Sequence, residues 1–95
     1  MKALENNEKL LEGKIIFQNG DFEFDETGKR IEFLINHNLI KIKSDFSGWF
    51  ILYQDKEDLR YWELSYPNSH LEGGGNSVLK NVNINSKEII DRYKI

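Results

Sequence analysis

Five consecutive apolar residues, Trp49-Phe50-Ile51-Leu52-Tyr53, constrain the fold of this chain more than any other stretch. Successive side chains of a strand point to opposite faces, so an unbroken apolar run belongs to a central strand covered on both sides. The flanking segments read as its neighbours. Ile40 and Ile42 alternate with Lys41 and Lys43 before a turn from Asp45 to Gly48. After a charged connection from Gln54 to Leu59, the stretch Arg60 to Tyr66 reads as a strand with Trp62, Leu64 and Tyr66 on one face and Tyr61, Glu63 and Ser65 on the other. Parity alone does not choose the inner face, though the Trp62 face is the more apolar. A further strand spans Ser77 to Ile84, with Val78, Val82 and Ile84 on one side.

Two other patterns complete the layout. Gly13 to Gln18 has strand composition, Asn19-Gly20 suits the positive φ angles of a type I′ turn, and Phe22 and Phe24 alternate with acids on a short return strand. Asp25 then caps a helix on which Thr27, Ile31, Leu34, Ile35 and Asn38 form one stripe. Gly28 costs that helix up to about 1 kcal/mol relative to alanine, which would allow it to start a few residues later. At the far end Asn85, with Glu88 three positions on, resembles a capping box before a helix whose inner side is Ile89, Ile90 and Tyr93.

These elements predict an α+β fold in a single small domain over 1–95. It has a mainly antiparallel sheet of about five strands, a helix at about 25–37 packed on one face and a short C-terminal helix at about 86–94. Residues 1–9 are expected to be loosely ordered, and the expected core is Ile31, Leu34, Trp49, Leu52, Trp62, Leu64 and Tyr66. A chain of 95 residues buries roughly 60 to 70 per cent of its extended surface, enough for one modest core and no deep pocket.

Composition narrows the function. There is no cysteine, no apolar segment long enough to cross a bilayer and no signal-like start, which together predict a soluble, cytoplasmic protein without membrane association. A net charge of −3 argues against direct nucleic-acid binding. The only histidines, His37 and His70, lie far apart with no cysteine to join them, so neither a metal nor a cofactor is expected. Ser69-His70 are adjacent and point apart on an extended chain, which does not suit a catalytic pair. Gly73-Gly74-Gly75 is followed by Asn76-Ser77 and a strand, with neither the helix start nor the lysine of a phosphate loop, so the triplet reads most simply as a sharp turn. One catalytic option stays open: Glu63 and Glu72, with Asp55 or Asp58, as the acids of a small enzyme or carbohydrate-binding domain built around the Tyr66–Gly75 turn.

Several segments together carry a family resemblance. Leu10-Leu11-Glu12-Gly13-Lys14, Asp25 with Arg30-Ile31, Ser47-Gly48-Trp49, Leu52-Tyr53-Gln54-Asp55, and above all Arg60-Tyr61-Trp62-Glu63-Leu64-Ser65-Tyr66-Pro67 with Gly73-Gly74-Gly75 resemble the immunity protein 27 family of bacterial polymorphic toxin systems. The resemblance implies a small cytoplasmic antidote that binds the C-terminal domain of a cognate toxin, as in contact-dependent growth inhibition, without catalysis. Where the family pattern has a histidine before the glycines and two prolines after them, this chain has Glu72 and Asn76-Ser77, and it has Leu59 where a glycine is expected. On this reading the protein is a monomer alone and 1:1 with its toxin. The expected toxin-binding surface combines the charged turn (Asp55, Glu57, Asp58, Arg60), the strand face Tyr61 and Glu63, and His70, Glu72, Gly73, Gly74 and Gly75. Such an acidic surface complements a basic toxin, and a nuclease has a basic groove.

Overall fold

The apolar run becomes strand β5 (Phe50–Asp55), and its two faces are covered by different helices. The structure, a computed structural model, describes residues 1–67 and 76–95. In chain order the other elements are β1 (Leu10–Glu12), β2 (Ile15–Gln18), β3 (Asp21–Phe24), α1 (Glu26–His37), β4 (Leu39–Ser44), β6 (Tyr61–Ser65), β7 (Val78–Val82) and α2 (Lys87–Tyr93). Five strands form one antiparallel sheet in the order β1-β7-β6-β5-β4, and among the described residues β2 pairs with β3 alone. The expected α+β architecture is therefore present. The fifth strand of the main sheet is β1, however, whereas the hairpin at residues 15–24 stands apart as its own ribbon.

Register explains the two-sided burial. Tyr53 lies opposite Trp62, and Leu64 lies between Ile51 and Leu79. These side chains pack with Leu11, Leu39 and the α1 residues Ile31 and Leu34. On the other face Leu52 packs against Ile89 and Tyr93 of α2, with Phe50, Tyr61, Val82 and Ile84 around them. Ile31, Leu34, Leu52, Trp62 and Leu64 are buried as expected, and Tyr66 packs half-buried on the same core. Trp49 is a correction: it sits in the turn just before β5 and is 55% exposed. Strand β4 is a sheet edge, and its lysines and a register shift between Lys41 and Lys43 make it a poor template for further pairing.

Local chemistry sets the boundaries. Asn19 and Gly20 have φ of 55° and 80°, as a type I′ turn requires. The Asp25 carboxylate accepts the backbone N–H of Gly28 at 2.8 Å and of Lys14 at 3.0 Å, so one side chain caps α1 and ties it to the base of the ribbon. The helix thus starts at Glu26 with Gly28 inside it. Gly13 passes against this turn of the helix, and it can do so only without a side chain: a Cβ added at Gly13 would lie 2.6 Å from the Gly28 Cα. For α2 the cap is Ser86 rather than Asn85, its hydroxyl accepting the N–H of Ile89 at 3.3 Å.

Residues 1–9, expected to be a loose start, carry several anchors. Leu4 is buried in the α1-side core. Arg30 donates to both carboxylate oxygens of Glu8, at 2.7 and 2.6 Å, and to the Ala3 carbonyl at 2.8 Å. Arg60 donates to the carbonyls of Glu8 and Glu5, both at 2.8 Å. The hydrogen bonds from Arg30 hold the Glu8 carboxyl down from its usual 4.5 to about 2.

A depressed folded-state pKa adds stability that is present above the unfolded value and lost as pH falls through the folded one. Acid titration of unfolding should therefore show a component lost between about pH 4.5 and pH 2. The Glu8→Gln variant should lack it while losing about 1 kcal/mol near neutrality. An identical acid limb in both proteins would contradict the assignment. Gly13→Ala should cost about 2–3 kcal/mol in urea unfolding, because neither backbone at that crossing has room to move.

Candidate interaction surface

The acids expected to face a partner are mostly occupied in the fold. Asp55 is 2% exposed, and its carboxylate accepts the N–H of Glu57 at 2.8 Å, closing the turn between β5 and β6. Asp58 accepts from the Arg60 side chain at 2.7 Å and from the Arg60 N–H at 2.9 Å. Burial pushes the Asp58 carboxyl up, but those bonds to Arg60 outweigh it and leave the group below the usual aspartate value. Arg60 lies over the Trp62 ring, 4.8 Å from its centroid, while gripping the N-terminal segment. Of the acids in this turn only Glu57 is exposed, beside Lys56 and Leu59. Leu59 has a φ of 66°, a left-handed conformation that costs a branched side chain about 1 kcal/mol and that a glycine would adopt freely.

Glu63 requires the larger correction. It is 6% exposed, because the face it shares with Tyr61 lies under α2. Its carboxylate accepts from the Tyr93 hydroxyl at 2.8 Å and from Arg92 at 2.5 Å. Arg92 also reaches Glu88 at 2.9 Å and stacks over the Phe50 ring at 4.2 Å. Burial, reinforced by the bond to Glu63, pushes the Tyr93 hydroxyl far up, so it stays a donor throughout the accessible pH range. Tyr61 is half-buried in the same layer. The sequence signal was the apolar side of α2: Ile89 and Tyr93 need a sheet face to cover, and Phe50, Leu52, Tyr61 and Val82 provide one.

The expected surface is also divided. The turn at residues 56–60 precedes β6 and Pro67 follows it, so the two parts leave from opposite ends of the strand. His70, Glu72, Gly73, Gly74 and Gly75 lie outside the described residues.

The described residues do expose two aromatic pairs. In the turn between β4 and β5, Phe46 is fully exposed and Trp49 more than half exposed. The Asp45 carboxylate accepts from the Ser47 hydroxyl and the Gly48 N–H, both at 2.9 Å, and the Ser47 hydroxyl accepts the Trp49 N–H at 3.1 Å. These bonds tie the turn's backbone to two of its own side chains. Between it and the end of α2 runs an open groove of about 510 Å³, lined by Lys43, Phe46, Arg92, Tyr93 and Lys94 among others. The second exposed aromatic pair, Phe17 and Phe22, is on the β2–β3 ribbon. Sequence reasoning passed over Phe46 and Phe17 and placed Trp49 in the core, although Ser47-Gly48 directly before Trp49 already marked it as a turn residue. A smaller pocket of about 170 Å³ beside Glu63 is lined by Lys80, Ser86 and Glu88, below the size that encloses a small-molecule ligand.

The model of the family described as Immunity protein 27 matches residues 17–83. The chain belongs to that family. The matched region runs from the end of β2 through β7, so the ribbon's return strand, α1 and the four adjacent strands of the sheet fall within it, while β1 and α2 lie outside. No curated protein and no solved structure matches the chain. Among the described residues no helix is long and apolar enough to cross a membrane.

In this immunity protein 27 family member Glu63 is expected to stabilise rather than to bind. Tyr93→Phe should lower unfolding stability by about 1–2 kcal/mol. Glu63→Ala should cost about 3 kcal/mol, because it leaves the Arg92 charge and a buried hydroxyl short of partners. Urea unfolding followed by tryptophan fluorescence measures both, and losses under 0.5 kcal/mol would show that the contact is incidental.

Proposed function

We propose that this protein is the antidote to a bacterial toxin and acts by binding rather than by catalysis. It would occupy the C-terminal toxin domain in the cytoplasm of the producing cell, as a 1:1 complex, within a polymorphic or contact-dependent inhibition system. The family match over residues 17–83 carries the reading. The geometry supports it in two ways. Asp55, Asp58 and Glu63, which an acid–base mechanism would need free, are committed to backbone N–H groups, an arginine or a tyrosine. Exposed aromatics, Phe17 and Phe22 on the β2–β3 ribbon among them, are of the kind that act as anchors in protein interfaces.

Co-expression with the toxin domain encoded beside this gene tests the proposal. The expected result is restored growth and a stable complex of the two chains in equal number on size exclusion. Continued growth arrest with no complex formed would overturn it.

A further inference from the structure

Among the described residues the β2–β3 ribbon pairs with no strand of the main sheet, and every residue from Ile16 to Glu23 is exposed. Its register sets Phe17 opposite Phe22, and the two rings meet edge to face with centroids 5.3 Å apart. They remain 67% and 50% exposed, although an aromatic pair on one face of a ribbon is apolar surface a protein usually covers. The other face presents Ile16, Glu23 and Asp21. An isolated two-stranded ribbon is marginal in water, so this one depends on its base. There the Asp25 carboxylate bonds both Lys14 and Gly28, the Asp25 N–H donates to the Lys14 carbonyl at 2.8 Å, and the Ile15 N–H donates to Asn76 Oδ1 at 3.0 Å.

Charge points the same way. From Ile15 to Gly28 there are four acids and no lysine or arginine; the remainder of the chain holds 12 acids and 13 bases. The net negative charge of the protein is therefore concentrated in the ribbon and its base. Asp21 and Glu23 form no ion pair among the described residues.

We propose that the ribbon is the arm this antidote inserts into a cleft of its toxin. The cleft has an apolar floor that receives Phe17 and Phe22 and a lysine- or arginine-bearing rim that meets Asp21 and Glu23. This rests on the immunity reading above and adds the surface and the chemistry of its counterpart. A ribbon gripped from both sides uses its aromatic and its acidic face at once, and a base already fixed lowers the entropy cost of ordering the arm. The same acids repel nucleic acid and anionic lipid, which leaves a cationic protein cleft as the complement.

The test uses a catalytically inactive form of the adjacent toxin domain, immobilised, with binding kinetics at two salt concentrations. The double variant Phe17→Ser/Phe22→Ser should weaken binding about 100-fold, chiefly through faster dissociation. Asp21→Lys/Glu23→Lys should slow association about tenfold at low salt and flatten its salt dependence. The acidic positions lie outside the core, so this second variant stays informative if the first is unstable; thermal midpoints of both are measured alongside. Trp49→Ser, on the other exposed turn, should bind within about threefold of wild type. Wild-type binding that neither ribbon variant alters overturns the arm and leaves the immunity reading standing. Failure of the wild-type protein to bind overturns both. A wild-type dimer that Phe17→Ser/Phe22→Ser dissociates, with toxin binding unchanged, would assign the ribbon to a second copy of this chain and overturn the proposal.

Discussion

A buried carboxylate on the central strand fixes much of this structure. Glu63 stands on β6 with strands on either side, opposite Leu52 in one neighbour and Lys80 in the other. A carboxylate so placed is tolerated only with donors aimed at it, and the described donors are Arg92 and Tyr93 at the end of α2. That requirement, with the packing of Ile89 and Tyr93 on Leu52, holds a seven-residue helix that has little stability of its own. Once α2 is there, the sheet has no free face at its centre.

Arginines play the corresponding part elsewhere. Arg30 on α1 and Arg60 before β6 converge on residues 2–8 and use carbonyl oxygens as well as the Glu8 carboxylate. Arg92 does the same for α2 through Glu63 and Glu88. The forked guanidinium can hold several acceptors at once, which lysine cannot. In a chain this small, with no disulfide, such contacts fasten the peripheral segments to a core made largely of one sheet and one long helix. Many of the acids that give the sequence its apparent binding face are therefore partners of these arginines or caps of turns and helices.

This explains which parts of the fold were legible. The stripe on α1 and the Asn19-Gly20 turn follow from local geometry and appear in the structure nearly as read, whereas on the edge strand β4 Ile40 and Ile42 alternate with lysines in sequence yet are both exposed. The apolar run before Gln54 correctly demands two covered faces, yet charge alone assigns Glu63, the one acid on the partner strand, to solvent. Parity identifies which residues share a face but not what covers it, and Glu63 was judged by its charge rather than by its neighbours. Trp49 failed for the complementary reason: hydrophobicity assigned it to the strand, while Gly48, at a φ of 80°, had already placed it in the turn. Gly28 reads as a helix defect, yet a Cβ added there would lie 3.0 Å from the Phe24 Cβ just before the helix. The partners of Glu63 lie 29 and 30 residues away, where composition carries little information, whereas the turn that holds Trp49 is local.

The division between core and ribbon has a consequence for specificity. Residues that both hold the sheet and face a partner cannot change without a stability cost, and Asp55 or Glu63 would have been such residues. At positions 16–23 every side chain is exposed and the anchoring is confined to the base, so substitutions there fall in the class that usually alters stability by less than about 0.5 kcal/mol. Under the proposed reading, recognition through such an element would let the antidote follow changes in its toxin one side chain at a time, while the buried Glu63, Arg92 and Tyr93 contact keeps the scaffold constant.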